Sequence, residues 1–405
     1  MFGSNDPDNP MGGLLGDLLK VIGSGPGRGD SWFEAARTLA FGVATDGGVD
    51  EQPDPLVRIA FEELARVAEL HVADATGIPP SAAGPQVSFD AVGPGQWSFA
   101  VLQAYRPVLQ AMVEAQQQGA AAVPDSMDLG ALDPEMAGGL GPLLGQFAQT
   151  LGPVFLGMQF GSAAGHLARR AFGQYALPLP WPESTSLLLV PGNVARFAED
   201  WSLPLQEVQL WVCLRELTMH AVLTRPGVRS SLTTLLGDAS AHAAAAQRSV
   251  VERLGEGLGD PSSLEEALGD PEALLSDLIS PEQRSISSAL TAQTTAIGAY
   301  VDQITGTVAE HLTSNPAALR EAWYRYRIEG GKGEAAFAGL FGLAVGQAEV
   351  DRGRAFVQGV IERAGVDALT RLWGDELDLP TPARSITPCT KARPRSTSAC
   401  PTASP

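Results

Sequence analysis

Residues 210–223 read "LWVCLRELTMHAVL". Val208, Trp211, Val212 and Val222 form one stripe at helical spacing, and nearly every position between them is apolar as well. No polar face is left for solvent, so the segment at about 205–224 reads as a fully buried helix. Two charged residues interrupt it, Arg215 and Glu216. Burying a guanidinium is costly unless it is paired. Glu216, or an acid from a neighbouring helix, is the expected partner.

The spacing carries a second reading. At about 100° per residue, positions 215 and 219 lie about 40° apart on one helix face. Two histidines at that spacing chelate one zinc ion, and a glutamate directly after the first activates the bound water. In this chain Arg215 and Met219 stand at the ligand positions, and only Glu216 matches. Arginine has no lone pair to give and is always cationic, and a thioether is a poor zinc donor. His220 forms an i,i+4 pair with Glu216 and is the fallback ligand, on a face rotated about 100° from the first. Cys213 lies too far round the helix to join Met219. From residue chemistry alone, an ordinary core helix with one Arg–Glu pair is the better explanation of the stretch.

Outward from this helix, the chain of 405 residues suffices for a large core. It is 44% hydrophobic and 18% charged, with a net charge of −19. So acidic a surface repels phosphate backbones, which argues against nucleic-acid binding. Cys213, Cys389 and Cys400 offer no disulfide framework. The N-terminus carries acids where a secretory leader needs bases, and no apolar run reaches the ~18–20 residues that span a bilayer. A soluble, cytoplasmic protein without a membrane partner is expected.

The flanking segments are mostly helical. "DSWFEAARTLAFGVA" (30–44) follows an acid–serine cap, and "DPLVRIAFEELARVAELHVADATG" (54–77) opens on Asp-Pro and closes on Gly. In the latter, Val57, Ile59/Ala60, Leu64, Val67/Ala68 and His71/Val72 form the expected core stripe. His71 reads as a core or boundary residue, and His166 as an interruption of a small-residue helix. Leu187–Val190 is the best strand, stopped by Pro191-Gly192, with Asn193 as the N-cap of the helix that follows. Asp260-Pro261, Asp270-Pro271 and Ser280-Pro281 mark three helix starts. Strands are scarce. The expected fold class is mainly α, a helical core with one small strand element. Residues 1–30, rich in Gly, Pro and Asp, read as a flexible N-terminus, 31–383 as the helical domain, and 384–405 as a disordered Ser/Thr/Pro-rich tail. That tail has four basic residues and no acid, which leaves −23 on the remainder.

Six segments together resemble one family: "FGSNDPDNP" (2–10), "EELARVAELHVADATGI" (62–78), "LARRAFGQYALPLP" (167–180), the run from Leu187 to Glu216, "LREAWYRYRIEGGKGEAAFAGLFGL" (319–343) and "LWGDELDLPTPA" (372–383). They are similar to actinobacterial zincin-like hydrolases and zinc-dependent metalloproteases of the uncharacterised F420 biosynthesis-associated type, over roughly residues 1–383. The resemblance implies an α+β zincin-like fold. It also implies a His-Glu-x-x-His helix at 215–219 and a later helix whose Glu gives the third zinc ligand. "GAYVD" (298–302) corresponds to that later motif and puts Gly298 at the glutamate position. Glu216 then stands at the general-base position, with Arg215, Met219 and Gly298 in place of the three ligands.

The resemblance therefore implies zinc in the family and no metal cofactor in this chain. Without the metal, Glu216 has no acidified water to deprotonate and is expected to be inactive. Three readings follow: a degraded zincin with a binding or regulatory role, or a decaying paralogue; an active hydrolase with substituted ligands; or a non-enzymatic helical protein. If the family mechanism applies, the resemblance implies that Glu216 acts as base and then acid and that the Leu187–Val190 strand aligns an extended substrate along its edge. The basic tail after Arg384 departs from the family's acidic, then hydrophobic ending, as a frameshift near that codon would produce. Nothing in the sequence specifies a substrate or a partner.

Overall fold

The computed structural model describes residues 30–50, 52–81, 86–121, 152–257, 280–329 and 331–373. The N-terminal segment, the basic tail and the expected helix starts at 260 and 270 lie outside these residues. In chain order the elements are α1 (Ser31–Ala44), α2 (Pro55–Thr76), β1 (Ser88–Ala91), α3 (Pro94–Ala104) and α4 (Arg106–Ala121). Helix α5 spans 152–168. Then come β2 (Ser186–Leu189), α6 (Pro191–Asp200), α7 (Leu205–Leu223), α8 (Pro226–Gly257) and α9 (Pro281–Leu312). The chain continues through α10 (Pro316–Ile328), α11 (Lys332–Leu340), α12 (Gln347–Ala364) and α13 (Ala368–Arg371). The fold is mainly α, as expected.

Helix α7 is the hub. Every residue from Val208 to Leu223 is buried, and α2, α6 and α9 pack around it. The strands form a two-stranded parallel sheet in which Phe89 pairs with Leu187 and Ala91 with Leu189. Phe89, Leu187 and Leu189 turn into the core, so the sheet braces the helices rather than forming a layer. Parallel strands need a long crossover. Here the crossover carries α3, α4 and α5.

Prolines and polar caps set several helix starts as anticipated. The Asp54 side chain accepts from Leu56 N at 2.8 Å, with Pro55 at the first helical position. The helix ends at Gly77 in the left-handed conformation, φ 65°. Ser280 caps α9 by accepting from Gln283 N at 3.0 Å.

Two expectations are corrected. The buried stripe of α2 is Phe61, Ala65, Ala68, Val72 and Thr76, whereas Ile59 and Val67 are exposed. Alanines let α2 approach α7 closely, and that close approach, not side-chain hydrophobicity, selects the inner face. Asn193 does not cap its own helix. Pro191 starts α6 two residues earlier, and buried Asn193 donates to the carbonyls of Ala168 (2.8 Å) and Ala171 (2.7 Å), closing the C-terminal end of α5.

Candidate functional site

The segment 172–178, following α5, crosses in front of α7 and fixes the site. Gly173 forms an antiparallel bridge with Leu189, and Val190 N donates to Phe172 O at 2.8 Å. Trp97 Nε1 holds Gly173 O at 2.9 Å. A side chain at position 173 would overlap the Glu216 carboxyl, so glycine is what allows this segment to lie against α7. The same contacts occupy the edge of β2 at Leu189–Val190. An extended ligand pairing there, as the sequence suggested, is blocked by the chain itself.

Tyr175 is held by three residues of α7. Its backbone N–H donates to Glu216 Oε2 at 2.9 Å. Its carbonyl accepts from Arg215 Nη1 at 3.4 Å. Its hydroxyl is 2.8 Å from His220 Nδ1. Glu216 and His220 thus hold opposite ends of Tyr175 rather than converging on one point. His220 is buried, and burial pushes its pKa down to about 4, which leaves the imidazole neutral.

Arg215 and Glu216 are both buried, at 7% and 2% exposure. Arg215 Nη1 lies 3.6 Å from Glu216 Oε1, and the guanidinium stacks 4.5 Å over the Trp323 ring. Burial lowers the Arg215 pKa, partly offset by Asp302 and Glu216. Burial pushes Glu216 up to about 7, against the pull of Arg215 and of the Tyr175 and Gln174 backbone.

Arg215, Glu216 and Tyr175 line a partly open cavity of about 90 Å³ between α7, α9, α10, α11, the 172–178 segment and the 343–350 stretch. Arg215, Glu216 and Gly298 all line it. Met219 does not line it and is wholly buried in the core. Sequence reasoning missed the rest of the wall: Arg170, Trp323, Tyr326, Arg327 and Glu334. Arg170 stacks over Tyr326 at 4.0 Å and donates to its carbonyl at 2.8 Å. Arg327 pairs with Asp302, which also accepts from Trp323 Nε1 at 2.9 Å. Burial raises Glu334, with Arg327, Arg170 and Arg215 pulling it back. The signal is present in "LARRAFGQYALPLP" and "LREAWYRYRIEGGKG", where arginines alternate with aromatics.

Zinc needs imidazole, thiolate or carboxylate donors in a tetrahedral set. The cavity offers a guanidinium at 215, no side chain at 298, no imidazole or thiolate, and the carboxylates of Glu334, Glu349 and Glu216, the last already bonded to the backbone. Among the described residues, no three His, Cys, Asp or Glu side chains come together as a metal site. The donor set here does not fit zinc.

The fold and site define a mainly helical protein with a Glu-bearing core helix beside a small cavity. Residues 32–386 match the model of the zincin-like metallopeptidase family, and the chain belongs to that family. No curated protein matches it. Among solved structures it is similar to one described as "a putative hydrolase with a novel fold" from Chloroflexus aurantiacus. That likeness has a TM-score of 0.57 at 20% identity and covers 88% of this chain and 95% of the other. It concerns the fold.

Proposed function

We propose that this zincin-like chain is a non-catalytic member of its family that acts by binding. The observation that carries the reading is the position of Arg215. Its cationic head lies in the cavity 3.6 Å from Glu216, where a metal-dependent peptidase needs an electron-pair donor. Glu216 then serves structure, accepting from Tyr175 N and balancing Arg215. With no donor set for zinc there is no route to an acidified water, and hydrolysis by the family chemistry is not supported.

The test is metal content by elemental mass spectrometry on protein purified with zinc in the medium, alongside peptidase assays of wild type and Glu216→Gln. Well under one zinc per chain and indistinguishable, background-level turnover are expected. About one zinc per chain, with turnover lost in Glu216→Gln, would overturn the proposal in favour of an enzyme with substituted ligands, His220 foremost.

A further inference from the structure

We propose that the cavity takes a small organic carboxylate, bound between the Arg215 and Arg327 guanidinium groups in the space that Gly298 leaves open. This rests on the reading that no metal occupies the place.

Arg215 carries five N–H donors in a fixed fork. At 7% exposure it makes one hydrogen bond, a long one at 3.4 Å to Tyr175 O. Its nearest anion, Glu216, is at 3.6 Å, beyond hydrogen-bond range. Arg215 Nε is buried with no partner, and so is Arg170 Nε on the same wall. An unpaired buried donor costs about 1–3 kcal/mol, and a guanidinium left with one long bond on the wall of a cavity points to an acceptor that comes from outside the chain. Trp323 covers one face of the Arg215 guanidinium, which leaves in-plane bonding as the way to satisfy it. A carboxylate answers such a fork with two parallel bonds.

Gly298 supplies the room. It faces the cavity from within α9, and a Cβ built there would lie 3.4 Å from Arg327 Nη2, at ordinary contact distance. A carboxyl group attached to no side chain of this protein can occupy that space. Three arginines, Arg170, Arg215 and Arg327, share the wall with Glu216, Glu334 and Glu349, and burial raises the pKa of both Glu216 and Glu334. The volume of about 90 Å³ holds on the order of six to nine water-sized positions. That suits an acid of a few carbons and excludes a folded partner. Val212, Leu343 and Val345 on the wall accept a short apolar backbone better than they would a phosphate.

The experiment is calorimetric titration of the full chain, in EDTA and at matched ionic strength, with acetate, glycolate and succinate against acetamide and succinamide. At least one carboxylate is expected to bind once per chain, about tenfold or more tighter than its amide. Gly298→Glu, which brings its own carboxylate to Arg327, is expected to weaken that binding by a further factor of about ten or more while unfolding cooperatively. Arg327→Met should weaken it as well. Absence of binding for all three acids at ~10 mM, equal binding of an amide, or unchanged binding in Gly298→Glu would each overturn the inference. EDTA separates the two proposals. Zinc found in the untreated protein refutes the non-catalytic reading, whereas carboxylates failing to bind zinc-free protein refutes only this one.

Discussion

Tyr175 is bonded by Arg215, Glu216 and His220, three residues within two turns of α7, and two of them titrate in opposite senses. The folded Glu216 holds its proton up to about pH 7 instead of 4.5. Its contribution favours the fold below pH 4.5 and is lost as pH rises toward 7, by on the order of 3 kcal/mol. Glu216→Gln removes that slope. The stability of the variant relative to wild type should therefore improve between pH 5 and 8, as read by urea denaturation at each pH; parallel curves would contradict the assigned shift. The folded His220 has its pKa near 4 instead of 6.5. As pH falls below 6.5 the unfolded chain takes the proton first, so this contribution is lost on the acid side. In His220→Gln, whose Tyr175 bond is disturbed at every pH, the deficit against wild type should shrink between pH 6.5 and 4. A deficit that stays constant would mean that His220 titrates normally.

At the level of elements, α5 packs against α1 through three glycines. A Cβ at Gly157, Gly161 or Gly165 would overlap the carbonyl oxygens of Trp32, Ala36 and Ala40 in turn, and backbone cannot swing aside as a side chain can. Gly161→Ala is expected to cost about 1–3 kcal/mol through forced separation of the two helices. Gly192→Ala, in α6, meets nothing. It should be neutral or stabilising by up to about 1 kcal/mol. Equal effects of the two would show that helix propensity, not packing, governs these positions. A second element-scale device is Asp50, whose carboxylate accepts from Gly95 N at 2.9 Å and Gln96 N at 2.8 Å and so caps α3 from another segment. Asp50→Ala should cost about 1–2 kcal/mol in the same denaturation series, and no loss would mean that solvent satisfies those amides equally well. Helix starts of this kind were legible where the cap adjoins its helix, as at Asp54 and Ser280, and illegible where it reaches across the chain, as for Asp50 and Asn193. The inner face of α2 was legible in part: Ala68 and Val72 are buried and Val57 and Leu64 pack against the core as expected. Leu56, Ile59, Val67 and Leu70 are the more apolar residues, yet they stay exposed. Phe61 and the alanines fit the narrow space beside α7.

Across the whole molecule, the helical class and the central buried helix could be read from the sequence because the apolar run at 208–223 admits no solvent face. Arg215, Glu216 and Gly298 could be brought to one cavity because a motif spacing and a resemblance linked them. Arg170, Trp323, Arg327 and Glu334 join them only through the packing of the segment after α5 with α10 and α11, which no local pattern encodes. That assembly bears on whether the fold still carries the cradle of its family. If it does, Arg215→His, Met219→His and Gly298→Glu together should restore a zinc donor set. The triple variant should bind about one zinc per chain, with a rise in Tm on zinc addition that wild type lacks. The double histidine variant should bind far more weakly, because position 298 would still lack a donor. Arg327 bears on the outcome, since its Nη2 lies 3.4 Å from the point where the new Cβ of residue 298 begins. It will compete with zinc for the new carboxylate. Adding Arg327→Met to the triple variant should therefore tighten zinc binding further. Failure of the quadruple variant to take up zinc would mean that α7 and α9 have moved apart from the family arrangement, and that this cavity now exists for a different ligand altogether.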